Sequence, residues 1–171
     1  ILLSEINCHK MKKLLIFFSI AILSFLISTQ CVFADANVAQ IFSNNMVLQR
    51  DINAPIWGTA SPGEKISVEI NGLISSTVTG KDGKWRIYLP LFEAGGPYEL
   101  IVKGNNEITF KNILFGDVWV ASGQSNMAWR LDNANNAEEE IKSANNSNIR
   151  LFSVPKRTGK TPKENLEDGR W

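Results

Sequence analysis

Asp117-Val118-Trp119-Val120-Ala121-Ser122-Gly123-Gln124-Ser125-Asn126-Met127-Ala128-Trp129 is an apolar run that ends abruptly in a small, polar turn. Val118 to Ala121 is β-branched and aromatic without alternation. That pattern predicts a strand buried on both faces, as in a parallel sheet flanked by helices. Gly123 lets the chain turn sharply and sets Ser125 just beyond the strand's carboxyl end. Ligands bind at that end of open α/β sheets, and backbone N–H groups at the start of a following helix can stabilise an oxyanion. Taken alone, a serine before a helix is a common N-cap.

The neighbours of Ser125 carry more information than the serine itself. Gly123-Gln124-Ser125-Asn126-Met127 is not the Gly-x-Ser-x-Gly elbow of α/β-hydrolases, because Met127 stands where the second glycine belongs. With Gly116-Asp117-Val118-Trp119 before it and Trp129 after it, the stretch resembles the nucleophile motif of the sialate O-acetylesterase family, a branch of the SGNH-type esterases. The resemblance implies that Ser125 is the nucleophile and that its own backbone N–H is one oxyanion donor. Gly123, Gln124 and Asn126 then shape the turn. It also implies a histidine base with an acidic partner far downstream, and hydrolysis of O-acetyl esters on sialic acid or another acetylated glycan. No cofactor and no metal are implied.

Upstream, residues 38–112 read as short strands spaced about ten residues apart, the rhythm of an all-β sandwich. The candidates are Met46 to Gln49, Pro55 to Thr59, Lys65 to Asn71, Ile74 to Thr79, Lys84 to Leu89, Tyr98 to Lys103 and Glu107 to Lys111. Lys65-Ile66-Ser67-Val68-Glu69-Ile70 alternates polar with apolar, so one face packs and the other is wet. Asn71-Gly72 and Asp82-Gly83 both favour the positive-φ turn of a two-residue hairpin. Ser61-Pro62-Gly63-Glu64 and Gly95-Gly96-Pro97 are further turns. Trp57 and Trp85, at strand spacing, read as core rather than as sugar-stacking platforms. Asn44-Asn45-Met46-Val47-Leu48-Gln49-Arg50, Trp57-Gly58, Pro62-Gly63-Glu64 and Gly83-Lys84-Trp85 resemble the β domain that opens the same esterase family, and none of these positions has a catalytic role there.

Past Ser125 the period changes. Ala134 to Ala144 places Ala137, Ile141 and Ala144 on one helical face, with Glu138 four residues before Lys142 on the other. Asn133 or Asn135 can cap its start, and Asn145-Asn146 can stop it. Ile149 to Val154 reads as another strand, completing a strand, helix, strand unit of a parallel sheet. Gly159-Lys160-Thr161 ends like a phosphate loop, but that motif needs glycine where Val154 stands. The expected organisation is residues 1–34 as upstream residues and signal peptide, 37–112 as a β-sandwich, and 113–171 as the opening of an SGNH-like, flavodoxin-like α/β domain. A lone unit of that kind cannot cover both faces of its strands, so the chain reads as the N-terminal part of a longer protein.

The first residues carry an export pattern. Met11-Lys12-Lys13 forms a basic start, Leu14 to Ile27 is almost wholly apolar, and Val32-Phe33-Ala34 ends in a small residue. This predicts a secretory signal cut before Asp35 and a secreted or periplasmic product without stable membrane association. Acylation at Cys31 is the rival, disfavoured by the bulky Gln30 before it, and Ile1 to Lys10 read as upstream translation. Cleavage removes Cys8, Cys31 and His9, the chain's two cysteines and single histidine. The remainder then has no disulfide framework, no His or Cys ligand for zinc, and no histidine base.

Composition adds little. The 171 residues are 44% hydrophobic and 20% charged, with a net charge of +1. No basic cluster interleaved with aromatics is present to suggest a nucleic-acid partner. The competing function class is a non-catalytic carbohydrate-binding or adhesion module, with the sandwich as its working part and Ser125 as a cap.

Overall fold

The structure, a computed structural model, describes residues 35–171 apart from Arg157, Glu164 and Glu167. The predicted export signal, Cys8, Cys31 and His9 lie outside the described residues. Strands dominate, in two sheets. One is three-stranded, in the order β1 (Asn37–Val38), β3 (Pro55–Thr59), β6 (Lys84–Tyr88). The other has five strands, in the order β2 (Val47–Gln49), β8 (Glu107–Gly116), β7 (Gly95–Lys103), β4 (Lys65–Ile70), β5 (Leu73–Val78). The larger sheet is mixed, because β2 runs parallel to β8 while the other pairings in it are antiparallel.

Period-two alternation places the core. Ile66, Val68 and Ile70 of β4 point inward, as do Trp85 and Ile87 of β6, Leu100 and Val102 of β7, and Ile113 and Phe115 of β8. With Ile56 and Leu48 they form a single apolar cluster fed by both sheets. Phe92 stacks on Phe115 at 4.3 Å, and Tyr98 meets both rings edge-on. Trp85 is 3% exposed and Trp57 packs against the cluster, with Phe42 edge-on to it at 4.6 Å. Buried Glu64 fastens one end of the fold. Its carboxylate accepts from Asn105 N at 2.7 Å and from Ser61 N at 3.2 Å, tying the β3–β4 turn to the β7–β8 turn.

The turns behave unequally. Asn71 and Gly72 both take positive φ and join β4 to β5 as a tight hairpin, as their chemistry predicts. Asp82-Gly83 does not make a hairpin. Gly83 is left-handed, but it links strands of different sheets, and the Asp82 carboxylate accepts from Lys84 N to shape the crossover. β8 does not stop at Lys111. It continues to Gly116 beside β2, so Ile113 and Phe115 of the core lie past residue 112.

The downstream segment departs furthest from expectation. Val118 to Ala121 is not a strand, and Trp119 and Val120 are 88% and 91% exposed. Ile149 to Val154 contributes only an isolated bridge, Ser153 to Arg170. Strands form by pairing, and neither run has a neighbouring strand among the described residues. The helix is short, α1 (Ala137–Ser143), and its Ile141 stays exposed. Its N-cap is Asn136 in the left-handed region without a side-chain capping bond, in place of Asn133 or Asn135. Glu138, Glu139 and Glu140 in its first turn complement the helix dipole. Among the described residues no helix is long and apolar enough to cross a membrane.

Candidate functional site

Ser125 opens a 3-10 turn, Ser125–Ala128, at the end of an irregular stretch that leaves β8 at Gly116. Gln124 precedes it with extended backbone, and its carbonyl accepts from Met127 N at 2.9 Å. The Asn126 carbonyl accepts from Trp129 N at 3.1 Å, closing the turn, and Trp129 Nε1 reaches the Asn133 carbonyl at 3.2 Å. Gly123 has φ 157°, and a Cβ there would come within 2.9 Å of Met127 Cγ. The turn therefore depends on a residue with little bulk at that position. Gly123, Gln124, Ser125 and Asn126 are all exposed.

The expected residues are thus together on one turn, but it is a 3-10 turn rather than the start of a long helix. Among the described residues, the histidine and acid that the resemblance implies are not gathered there. The only histidine of the sequence is His9, outside the described residues. Among the described residues no cluster of three or more His, Cys, Asp or Glu side chains is arranged to hold a metal ion.

The segment is fixed to the β-sheets by residues to which the sequence reading gave no role. At its entry, Arg50 donates through Nε to Asp117 Oδ1 at 2.9 Å and through Nη2 to Asp117 Oδ2 at 3.4 Å. Gln49 Oε1 accepts from Val118 N at 2.9 Å, and Arg50 N donates to the Gly116 carbonyl at 3.0 Å. The hydrogen bond to Asp117, followed by the attraction of Asp117 and Asp51, raises the pKa of Arg50 above its ordinary value. At its exit, Arg150 donates to the carbonyls of Asn45 and Asn112 and to Asn112 Oδ1. Partial burial there lowers the pKa of Arg150. Farther on, Trp171 Nε1 donates to the Ile41 carbonyl at 2.8 Å. These pairs are separated by 38 to 130 residues of sequence, so no local spacing signals them. The available hint was an arginine directly after a short strand, with an aspartate directly after the longest one.

No family model matches the chain. Over 129 residues it is 34% identical to the sialate O-acetylesterases of Mus musculus and Rattus norvegicus and 33% identical to that of Homo sapiens. The matched part is 68% of this chain and 24 to 25% of those proteins. The chain therefore spans about a quarter of the length of the curated relatives it matches. Among solved structures it is similar to a carbohydrate acetylesterase from Xanthomonas citri, with a TM-score of 0.76 and 36% identity over 80% of this chain and 32% of that one.

Proposed function

From its homology to sialate O-acetylesterases, we propose that this chain is the leading part of a serine-dependent carbohydrate O-acetylesterase. Residues 37–112, with the β8 extension to Gly116, act as a β-sandwich that presents an SGNH-like catalytic segment. The carrying observation is the stretch Gly123-Gln124-Ser125-Asn126-Met127, whose serine is exposed on a tight turn downstream of β8. The comparison with enzymes acting on O-acetylated sugars supports the same reading.

In this mechanism Ser125 Oγ attacks the acetyl carbonyl carbon while a base removes the hydroxyl proton. A serine hydroxyl is a poor nucleophile until that proton is taken, and a third group orients the base. The carbonyl oxygen becomes negative and is stabilised by the backbone N–H of Ser125 together with donors from other loops. Collapse expels the sugar alkoxide, which takes up the base's proton and leaves acetyl on Ser125. Water, deprotonated by the same base, then releases acetate. The family resemblance implies a base and an acidic partner downstream of residue 171. The exposed Val118, Trp119 and Val120 fit this reading as a strand whose neighbours come from the same region.

The substrate class is an acetylated sialic acid or another acetylated glycan. Export follows from the basic and apolar start, and mature protein is expected to begin at Asp35. N-terminal sequencing of exported material checks that expectation, and a start at Met11 or at an acylated Cys31 contradicts it. The enzymatic reading is tested by acetate release from O-acetylated sugars by the complete protein. Sugar binding by the β domain without any acetate release would favour the adhesion reading instead.

A further inference from the structure

We propose that Arg50 is a positioning residue for Ser125, fixing the start of the nucleophile segment against the end of the parallel β2–β8 pair. The proposal rests on Ser125 being the nucleophile and adds to it how the serine is held in place. The last residue of β8 and the two that follow it are each bonded to one of two consecutive residues, Gln49 and Arg50, at the end of β2. Gly116 pairs in register with Gln49, and its carbonyl accepts from Arg50 N. The Asp117 carboxylate receives Nε and Nη2 of Arg50. The Val118 N–H is taken by the Gln49 side chain. Asp51 Oδ2 accepts Nη1 at 2.7 Å, which turns the other edge of the planar guanidinium toward Asp117. After Val118 the chain forms neither strand nor helix until Ser125, so this clasp is the last tie between the segment and the sheets before the turn.

Stability does not explain the arrangement. The Arg50 and Asp117 side chains are 39% and 55% exposed, and ion pairs that wet add little to folding. What a two-bond arginine–carboxylate pair does supply is direction, because a planar fork fixes the carboxylate in angle as well as distance. Placement is what a nucleophile on a turn requires, since an error of about 1 Å can cost on the order of a hundredfold in rate.

The test uses the complete protein with Arg50→Ala, Arg50→Lys, Asp117→Ala and the double variant Arg50→Ala/Asp117→Ala. Turnover of an aryl acetate is expressed per site titrated by a serine-directed phosphonate, so unfolded molecules do not count. The expected result for Arg50→Ala is a kcat per titrated site lower by about ten- to a hundredfold, with KM changed by less than about twofold. A lysine cannot form the two-bond fork, so Arg50→Lys should fall between Arg50→Ala and the parent. The double variant should be no worse than the worse single one, the signature of two groups acting as a unit. Wild-type kcat per site in Arg50→Ala, or activity that falls only with the number of titratable sites, would overturn the proposal and leave the nucleophile in place. Normal turnover by Ser125→Ala would instead overturn the nucleophile, and this inference with it.

Discussion

Arg150 Nη2 donates to Asn112 Oδ1 at 2.9 Å while its Nη1 donates to the backbone carbonyl of the same asparagine. Asn112 and Asn45 both take left-handed φ, at 60° and 69°, and the Asn112 amide donates to Asn45 Oδ1 at 2.7 Å. Asparagine tolerates that conformation better than bulky residues, so the pair presents its carbonyls to one guanidinium. The result ties the chain beyond α1 to the turn before β2 and to Asn112 within β8.

Arg150→Ala should therefore loosen the residues around it more than the sheets. The expected global cost is about 1 kcal/mol, since each net hydrogen bond is worth about that much and these are partly wet. Limited proteolysis should cut between residues 144 and 156 sooner than in the parent, with β-type circular dichroism unchanged. Lysine should not restore protection, because a point charge cannot reach both oxygens of Asn112 in one plane. Equal proteolysis of parent and variant would show that the contact fixes nothing.

Two core positions separate packing from sugar stacking. Trp85 lies inside the shared core, so Trp85→Ala should destabilise by about 3–5 kcal/mol. A sugar platform would instead lose binding at constant stability. Gly58 makes the related point, because a Cβ there would run into the Asn37 carbonyl and come within 2.9 Å of Trp85 Cζ2. Gly58→Ala should cost about 1–3 kcal/mol through overpacking. Denaturant midpoints measure both effects, and an unchanged midpoint in either variant would contradict this account of the core.

The legible parts of the sequence were those whose partners are close by or whose period is strict. Pro55–Thr59 is bounded as its composition predicts, and Lys65–Ile70 lays Ile66, Val68 and Ile70 on the buried face as its alternation requires. The Asn71-Gly72 hairpin is local chemistry. Val118 to Ala121 misleads because apolar content states a demand for burial without naming the partner that meets it. The parallel pairing of β2 with β8 joins residues far apart in sequence, and short β2 carries no pattern that announces it. Ser125 is legible through the resemblance of its neighbours. Arg50 and Arg150 carry no such signal, because an arginine in a polar stretch looks like any solvated charge until the fold shows the carbonyls and carboxylate it meets.

Residues 1–171 expressed alone should hydrolyse aryl acetates no faster than residual catalysis permits. The single histidine, His9, precedes the predicted cleavage point, so Ser125 has no histidine base in this segment. Loss of a triad member elsewhere leaves about 10³ to 10⁴ over water from oxyanion stabilisation and binding, and those donors are incomplete here as well. Initial-rate assays at matched concentration check this. Turnover by the segment approaching that of the complete protein would mean that another base serves Ser125.

Whether Ser125 attacks the ester is decided by Ser125→Ala in the complete protein. That variant should lose acetate release and phosphonate labelling with the melting transition nearly unmoved, because Ser125 is exposed and its hydroxyl does not cap the turn, whose N-cap is Gln124 without a side-chain capping bond. Acetate release by Ser125→Ala at the rate of the parent would contradict attack by Ser125.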